Sequence, residues 1–472
     1  MRGLGFYPHA PLVLALAAAI VLSACGGVGP KYSRPKVAVP TVYRGSGSQE
    51  APSAGTPSLG DRKWSEVFQD EQLQRLIQTA LQQNYDVRIA ATRILQAEAQ
   101  LGITRSDQFP TVVARADFVS QRSPESQFPA FSFSSGGLSL SAAWELDFWG
   151  KFRRATEAAR ADLLTSEWAR QAVVSTLVAE LAGSYFRLRE LDLELEISQR
   201  TVRSRQESLR LTQDLEARGL SSMLDVRQAE QLVFTAGAAI PDIERQIEQQ
   251  ENLISVLLGS TPAPVQRGRT LTDQPRPPEV PAGLPSSLLE RRPDIQQAEQ
   301  QLVAFNARIG VAKAAYFPQL SLTGLGGFRS SALTSLVSGS AGLWSFVAGL
   351  AQPIFTGGRI RSGVRFAEAQ QQEALLVYEQ TIQQAFRDVS DALVAYRKNQ
   401  EFREQQELLT RSAQDAAQLS RTRYQSGVTS YLEVLTNETN YFEADLNLAR
   451  ARADELLAVV DLYRALGGGW QQ

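Results

Sequence analysis

Residues 84–110 read NYDVRIAATRILQAEAQLGITRSDQFP, and residues 292–318 read RPDIQQAEQQLVAFNARIGVAKAAYFP. The two stretches end on the same Phe-Pro pair, and the repeat offset between their positions is 318 − 110 = 208. The same repeat offset relates further residues along the chain, among them Gly150 with Gly358, Arg153 with Arg361, Gly219 with Gly427, and Leu258-Gly259 with Leu466-Gly467. A constant offset over that distance without gaps predicts one structural unit that is used twice.

Each unit is predicted to contain a helix and two strands. Leu73 to Ser106 is rich in Ala, Gln and Leu and has no proline, which favours a helix. Alternating polarity follows over 112–119 and, after a polar loop at 120–137, resumes over 138–144, a period that is typical of strands. The second unit repeats the pattern over 319–328 and 344–350. Strands of about ten residues are long enough to cross a bilayer when tilted.

The strand pair of each unit is followed by a very long helix and a return helix. Residues 151–218 contain no proline and one glycine, and at ~1.5 Å per residue such a helix would be ~100 Å long. Its apolar residues between Val174 and Leu195 have near-heptad spacing, which indicates packing against other long helices. Gly219 is expected to end it. The remaining long helices are predicted over 222–258 (interrupted by Pro241), 362–426 and 430–466.

The domain boundaries follow from these patterns and from the irregular stretches between them. They are a signal peptide at 1–24, a tether at 25–60, a first unit at 61–259, a Pro-rich connector at 260–284, a second unit at 285–467 and a tail at 468–472.

The N-terminal stretch before Cys25 is interpreted as a lipoprotein signal peptide. An apolar core over Pro11–Leu22, too short to span a bilayer, ends in Leu22-Ser23-Ala24-Cys25, which resembles a bacterial lipobox. Cys25 is the only cysteine, and we expect it to carry a diacylglycerol and an N-acyl group that anchor the chain to one leaflet. Gly26, rather than Asp, predicts sorting to the outer membrane. The alternative is an ordinary secretory peptide with an unrelated cysteine.

Composition excludes several classes of protein. The chain has a formal net charge of −2 and a single histidine, His9, which removal of the signal peptide would eliminate. Without histidine or a free thiol, the mature chain lacks the side chains of Ser-His or Cys-His catalysis and of common metal clusters. The charge balance offers no basic surface for nucleic acid. We therefore expect no enzyme activity, no nucleic-acid partner, and no cofactor or metal besides the lipid.

Four strands per chain have a consequence for assembly. Closed membrane barrels begin at about eight strands, and open sheet edges in lipid leave backbone groups unpaired at several kcal/mol each. A four-stranded membrane sheet therefore requires more than one chain, and three copies would supply twelve strands. With the long helices continuing the cylinder, the pattern predicts a conduit, although the number three does not follow from it.

Several motifs resemble the outer-membrane factor family, the TolC/OprM-type efflux channels. They are GPKYSRP at 29–35, WSEVFQD at 64–70, WELDFWG at 144–150, PAGLPSSLLERRPDI at 281–295 and PIFTGG at 353–358. The resemblance covers essentially the whole mature chain. It implies a homotrimer with a twelve-stranded transmembrane β-barrel, four strands per chain, continued by a long periplasmic α-helical barrel.

The resemblance also implies partners and a function. The expected partners are a periplasmic adaptor (membrane fusion protein), an inner-membrane pump of the resistance-nodulation-division (RND) type, and outer-membrane lipid. The expected function is passive export of drugs or other small molecules as the outer-membrane channel of a tripartite pump. A type I protein secretion channel is the alternative within this class.

The candidate gate lies at the tips of the helical hairpins. In the family, an Asp at the position of Asp225 bonds a Tyr at the position of Tyr424, which predicts a latch that holds the tip shut. Glu433 falls where relatives often have a lumen-facing acid, so three copies would form a cation-favouring ring, unless it is an ordinary solvated residue. Relatives often have a second acid where this chain has Thr436. Leu432 is interpreted as a core residue, with an apolar constriction as the alternative.

Gly219 and Gly427 are also candidates at the tips. The preferred explanation is helix-turn-helix chemistry, in which glycine adopts the left-handed conformation and Ser222 and Ser430 cap the following helices.

Two other classes of function are left as alternatives. A non-conducting coiled-coil lipoprotein would have no use for two pairs of membrane-length strands. An envelope hydrolase could act through Glu145 and Asp147, but nothing except a strand end lies near them in the sequence. Both are disfavoured.

Overall fold

A computed structural model describes residues 27–44, 58–122, 132–275 and 285–471. The predicted signal peptide and Cys25 lie outside the described residues, as do parts of the predicted tether, polar loop and connector. Within the described ranges the chain is mostly helical, with one four-stranded sheet. None of the described helices is both long and apolar enough to cross a membrane.

Seven helices and four strands, labelled in chain order, make up most of the described chain. They are α1 (Glu71–Gln83), α2 (Tyr85–Ser106), β1 (Thr111–Arg122), β2 (Ser132–Leu146), α3 (Lys151–Ala217), α4 (Met223–Leu257), α5 (Pro293–Ala314), β3 (Gln319–Ser330), β4 (Gly342–Ala351), α6 (Arg359–Gln425) and α7 (Tyr431–Ala465). Single α-helical turns lie at Trp64–Val67 and Leu288–Arg291, and 3-10 turns at Leu59–Asp61, Leu271–Asp273, Pro285–Ser287, Leu333–Ser335 and Gly339–Ala341.

Four pairs of elements have both their first and their last residues related by the repeat offset. They are α2 and α5, β1 and β3, α3 and α6, and α4 and α7. β2 and β4 do not follow the rule, because β2 has 15 residues and β4 has 10.

The helix predicted over 73–106 is in fact two helices, α1 and α2. Asn84 lies between them with the non-helical angles φ −58° and ψ 133°, and its side-chain oxygen accepts hydrogen bonds from the backbone N–H groups of Asp86 (2.8 Å) and Val87 (3.2 Å). Its side-chain amide donates to the carbonyl of Leu257 at 2.9 Å. A short polar side chain that caps the next helix competes with helix continuation, and helix-forming composition on both sides concealed this break.

The expected interruption at Pro241 is wrong, because Pro241 lies inside the continuous helix α4. Proline removes one backbone donor, and the flanking turns retain their own hydrogen bonds, so the helix can bend without ending. The polar loop predicted at 120–137 is also shorter than expected. The ladder between β1 and β2 extends to the pair Arg122 and Ser132, beyond the point where the polarity stops alternating.

The sheet is antiparallel with the order β1-β2-β3-β4. Ala114 lies opposite Leu140, which in turn lies opposite Gly326, and Trp344 follows across the last pair. Residues that share a row therefore point to the same face of the sheet. Within the described chain, β1 and β4 each pair with one strand only.

The described chain divides into two compact units. The first comprises Arg93–Ser166, Gln297–Tyr378 and the N-terminal stretch up to Lys36, and it contains the sheet. The N-terminal stretch is fixed within this unit. The Val28 N–H donates to the Trp149 carbonyl at 3.0 Å, and Arg34 forms an ion pair of 2.7 Å with Glu299. The described N-terminal stretch is therefore held by specific contacts from Val28 onwards.

The second unit comprises Val37–Thr92, Glu167–Gln296 and Glu379–Gln472. Most of the apolar stripe predicted on α3 is buried here, namely Val174, Leu177, Val178, Leu181, Tyr185 and Leu188. Asp70 caps α1 and also accepts hydrogen bonds from the Tyr185 hydroxyl (3.0 Å) and the Arg269 N–H (3.0 Å). Burial alone would raise the pKa of Asp70, but its hydrogen bonds outweigh burial and lower it.

A buried carboxylate in the second unit predicts pH-dependent stability. Glu190 on α3 is fully buried and forms an ion pair of 2.6 Å with Arg187. The negative charges of Glu194 and Asp454 favour its protonated form. Burial raises the pKa of Glu190 from its ordinary value of 4.5 to about 7. Its contribution to stability is therefore present below pH 4.5 and is lost as pH rises through 7, by at most about 3 kcal/mol.

We expect the apparent unfolding temperature of the wild type to fall between pH 5 and pH 8 more steeply than that of Glu190→Gln. Thermal unfolding of both proteins in detergent at several pH values measures this difference. An equal slope for the two proteins would contradict the assignment, whatever their stability at a single pH.

Candidate functional site

The first hairpin tip, between α3 and α4, is a helix-turn-helix with standard end geometry. Gly219 has φ +74°, its N–H donates to the Glu216 carbonyl at 2.8 Å, and the next N–H, of Leu220, donates to the Leu215 carbonyl at 2.9 Å. This pair of bonds closes a helix C-terminus. Ser222 and Asp225 then cap α4 reciprocally, since each side chain accepts from the other's backbone N–H.

The second tip, between α6 and α7, has the same geometry at the end of the first helix but lacks the reciprocal cap at the start of the next. Gly427 has φ +72°, its N–H donates to the Tyr424 carbonyl at 2.9 Å, and the Val428 N–H donates to the Arg423 carbonyl at 3.0 Å. Ser430, expected to cap α7 as Ser222 caps α4, makes no capping hydrogen bond through its side chain. The Glu433 carboxylate, three residues on, could complete a capping box but instead contacts Thr429 and Arg423.

Asp225 and Tyr424 lie at one site, but they are bridged and not in direct contact. The Ser221 hydroxyl donates to Asp225 Oδ2 at 2.8 Å and lies 3.0 Å from the Tyr424 hydroxyl. Because an ionised carboxylate only accepts, the single Ser221 proton goes to Asp225, and Tyr424 must donate to Ser221. The predicted pair is therefore a three-residue relay from α6 to the first tip, and Ser221 is its middle member.

The two tips contain equivalent hydroxyl-carboxylate contacts. Ser221 donates to Asp225 four residues on, and Thr429 donates to Glu433 four residues on. The two pairs are related by the repeat offset. Neither Ser221 nor Thr429 was predicted as a site residue, although a hydroxyl four residues before a carboxylate occurs at both tips in the sequence.

Glu433 is charge-compensated within its own chain. Its Oε1 lies 3.2 Å from Arg423 Nε, and its Oε2 accepts from the Thr429 hydroxyl. An acidic ring built from Glu433 would therefore carry a paired arginine for each carboxylate in this conformation. Thr436 hydrogen-bonds the Leu432 carbonyl at 2.9 Å. The Arg423 partner was not recognised from sequence.

Aromatic packing joins the relay to the core of the second unit. The rings of Tyr424 and Tyr431 meet edge to face at 5.1 Å and 72°. Tyr431 is buried with Ala229, Leu232 and Val434, and its hydroxyl has no hydrogen-bond partner among the described residues. Tyr424 is thus fixed by packing on one side and free to exchange a hydrogen bond on the other.

Large apolar side chains are exposed at both tips of the single chain. They are Leu220 (72% exposed), Met223, Leu224, Val428 and Leu432 (57% exposed). The interpretation of Leu432 as a core residue is therefore wrong for this chain. Leu432 lies close in the sequence to the core residues Tyr431 and Val434, but its side chain is on the exposed face of α7. The tips present an apolar surface that a partner could cover.

The sheet has one apolar and one polar face. The apolar face carries the rows that contain Phe118, Leu140, Trp144, Leu322, Trp344 and Phe346, and the polar face carries those that contain Arg115, Asp117, Ser141, Thr323 and Arg329. Asp117 and Arg329 form an ion pair of 3.6 Å on the polar face. Large apolar residues exposed in rows are typical of a lipid-facing barrel wall, whose other face is wet.

The residues considered for a hydrolase have structural partners. Asp147 accepts hydrogen bonds from the N–H groups of Phe152 and Arg153 (3.1 and 2.8 Å) at the start of α3, and Glu145 forms an ion pair with Lys151. A carboxylate at a helix N-terminus is stabilising. In the described ranges, no group of three or more His, Cys, Asp or Glu side chains is placed to hold a metal ion.

Comparisons with known proteins agree with this geometry. The outer membrane efflux protein family matches residues 76–260 and 284–468. The probable efflux pump outer membrane protein TtgC of Pseudomonas putida is 36% identical over 460 residues, or 96% of this chain and 94% of that protein. The cation efflux system protein CusC of Escherichia coli is 36% identical over 467 residues, or 98% and 99%. The crystal structure of the open state of the outer membrane channel MtrE of Neisseria gonorrhoeae has a TM-score of 0.85 at 31% identity, covering 94% of this chain and 99% of that chain.

Proposed function

Because the chain belongs to the outer membrane efflux protein family, we propose that three copies of it form one pore through the outer membrane. The protein is the outer-membrane channel component of an efflux system. The observation that carries the proposal is the four-stranded sheet with one apolar face, one polar face and two open edges.

Closure of the sheet requires other copies. In lipid, each unpaired backbone group at the edges of β1 and β4 costs several kcal/mol, and four strands are too few to close on themselves. Pairing β1 of one copy with β4 of the next satisfies both edges. Three copies then give a twelve-stranded barrel with the apolar rows towards lipid and the polar rows towards water. The number three rests on the family resemblance.

The internal repeat has a role in this assembly. The four pairs of elements related by the repeat offset support a duplicated unit, with boundaries at 61–259 and 285–467 and a connector at 260–284. The two ranges that match the family begin at 76 and 284, which differ by the same repeat offset. Each copy would then contribute two similar hairpins of helices to a periplasmic α-helical barrel, so that a trimer has near six-fold regularity.

The pore is passive, and its partners supply energy and selection. The exposed apolar tips, from Leu220 to Leu224 and at Val428 and Leu432, support docking of a periplasmic adaptor, and an RND-type pump would load the channel from the inner membrane. TtgC and CusC are equally identical to this chain, yet one is named for an efflux pump and the other for cation efflux. The class of exported compound is therefore set by the pump rather than by this channel.

Lipidation of Cys25 is a separate part of the proposal. The lipobox places an acyl group three residues before Val28, which is hydrogen-bonded to Trp149 near the end of β2. The lipid would therefore enter the leaflet beside the sheet. We expect intact mass spectrometry to give a chain that begins at residue 25 and carries a diacylglycerol and an N-acyl group. A free thiol at Cys25, or a chain cleaved elsewhere, would contradict this.

Conductance in a planar bilayer tests the pore and its latch together. We expect purified protein to insert in uniform steps and to conduct weakly when the relay is intact. Tyr424→Phe removes the hydrogen bond between Tyr424 and Ser221, and Ser221→Ala removes that bond together with the one to Asp225. Loss of the Ser221–Tyr424 bond, at about 1 kcal/mol in each of three copies, should shift the balance towards the open state on the order of a hundredfold in both variants.

The matched control is Thr422→Val on α6, two residues before Tyr424, because the Thr422 hydroxyl donates to a carbonyl of its own helix. It should conduct like the wild type. Uniform insertion with no difference between wild type, Ser221→Ala and Tyr424→Phe would end the latch proposal, and absence of any conductance would end the pore proposal.

A further inference from the structure

A buried arginine in the second unit, Arg205, has no carboxylate that pairs with it alone. Arg205 on α3 is 2% exposed, and it donates to the carbonyls of Leu232 at 2.8 Å and Glu438 at 3.1 Å. Its guanidinium lies 4.9 Å from the ring centre of Phe442. Among the described residues its Nε has no hydrogen-bond partner. The charge of Glu438 acts on Arg205, but the Glu438 carboxylate is already paired with Arg421. A buried charge left in this state is costly.

A cavity of about 310 Å³ lies beside this arginine, between α3, α6 and α7. Its lining includes Arg200, Ser204, Arg205, Arg421, Glu438 and Tyr441. Two of the arginines are neutralised, since Arg421 pairs with Glu438 at 2.7 Å and Arg200 pairs with Asp445 at 2.6 Å. The charge of Arg205 is left over, so the cavity has an excess of one positive charge.

The neutral side chains of the cavity can also donate hydrogen bonds. Arg421 donates to the Ser204 oxygen at 3.2 Å, so the Ser204 proton is available for another acceptor. The hydroxyls of Thr201 and Tyr441 and the amides of two glutamines also line the cavity. A positive excess with several donors matches the needs of an oxyanion, which only accepts.

We propose that this cavity binds a small molecule with an oxyanion group, held by Arg205 and by the hydroxyls of Ser204 and Tyr441. The anion completes the pairing of Arg205, and the rest of the cavity accommodates the body of the molecule. Because the lining comes from both helical hairpins, a bound anion joins α3 to α6 and α7. Binding itself does not depend on the proposed pore.

Isothermal titration calorimetry of the purified full-length protein in detergent tests the site. Phosphate, sulfate and acetate serve as separate probes at constant ionic strength, with chloride as the reference, so that tetrahedral and planar oxyanions are distinguished. We expect saturable binding of at least one probe. The double variant Ser204→Ala/Tyr441→Phe removes two donors but no charge, and should weaken binding at least about tenfold.

The separate variant Arg205→Lys keeps the positive charge but loses the planar guanidinium, and it should also bind the anion more weakly than the wild type. Thr272→Ala, in a neighbouring cavity with more acidic lining, is the control and should bind like the wild type. No saturable binding by any probe to the wild type overturns the proposal. Equal binding by the wild type and the double variant also overturns it, because the anion then lies elsewhere.

Discussion

Leu140→Arg should prevent the protein from entering the outer membrane, and Ser141→Arg, one residue later, should not. Leu140 lies near the middle of β2 in the apolar rows, opposite Ala114 and Gly326. An arginine on the lipid side at the middle of a bilayer costs about 2–4 kcal/mol. Three copies multiply this to roughly 6–12 kcal/mol for one barrel, which is comparable with the whole stability of a typical domain.

Ser141 is the matched control, because it lies on the same strand as Leu140 at almost the same depth but points to the opposite face of the sheet. It lies opposite Val113 and Leu325 in the polar rows. Three added arginines there would face water, so insertion should be retained and the pore should become more selective for anions. The amount of assembled protein in the outer membrane and the reversal potential in a salt gradient measure the two effects. Loss of insertion in both variants, or in neither, would contradict the assignment of the faces.

Gly259→Ala should be among the most destabilising single-methyl changes in the helical part of the protein. Gly259 ends α4 with φ +76°, and a Cβ placed there would lie 2.4 Å from the carbonyl oxygen of Gln83. The clash is with backbone at the end of α1, next to Asn84, whose side chain is bonded to Leu257. Neither partner can move without breaking the contact between the two helix ends, so we expect a loss of more than about 4 kcal/mol.

Gly219→Ala isolates the contribution of the clash. Gly219 has nearly the same conformation, with φ +74°, but an added Cβ would meet nothing within 4 Å. Only the strain of a left-handed conformation remains, about 1 kcal/mol. The apparent unfolding temperatures of the two variants in detergent measure the difference. If Gly219→Ala and Gly259→Ala were equally destabilising, the close approach of α4 to Gln83 would not be the reason.

The features that were predicted correctly depend on local or periodic signals. The long helices begin and end within three residues of their predicted limits, because glycine and serine punctuate an otherwise unbroken helical pattern at Gly219 and Gly427. The four strands lie where the period changes to two. The repeat offset is visible because the repeated glycines and Phe-Pro pairs occupy turns that tolerate few substitutions.

The features that were missed depend on contacts between residues distant in the chain or on one competing side chain. Ser221 and Tyr424 lie in different halves of the chain, and nothing in either local sequence indicates that their hydroxyls meet. The break at Asn84 arises from side-chain capping within a good helical composition. Leu432 has core-like spacing but lies on the exposed face, which only the packing of α7 determines.

Disulfide cross-linking of the two sheet edges tests the central claim most directly. Ala114→Cys on β1 is combined in turn with a cysteine at Trp344, Phe346 or Ala348 on β4, all in the apolar rows. Within one chain these edges are three strand spacings apart, about 14 Å, which is too far for a disulfide. Cys25 is the only native cysteine, so the background is low.

After oxidation in native membranes, a non-reducing gel should show covalent dimers and trimers for at least one pair, with no larger species. This result would mean that β1 of each copy pairs with β4 of the next and that the ring closes at three. Monomers alone for every pair, or a ladder that continues past three, would contradict a shared twelve-stranded barrel.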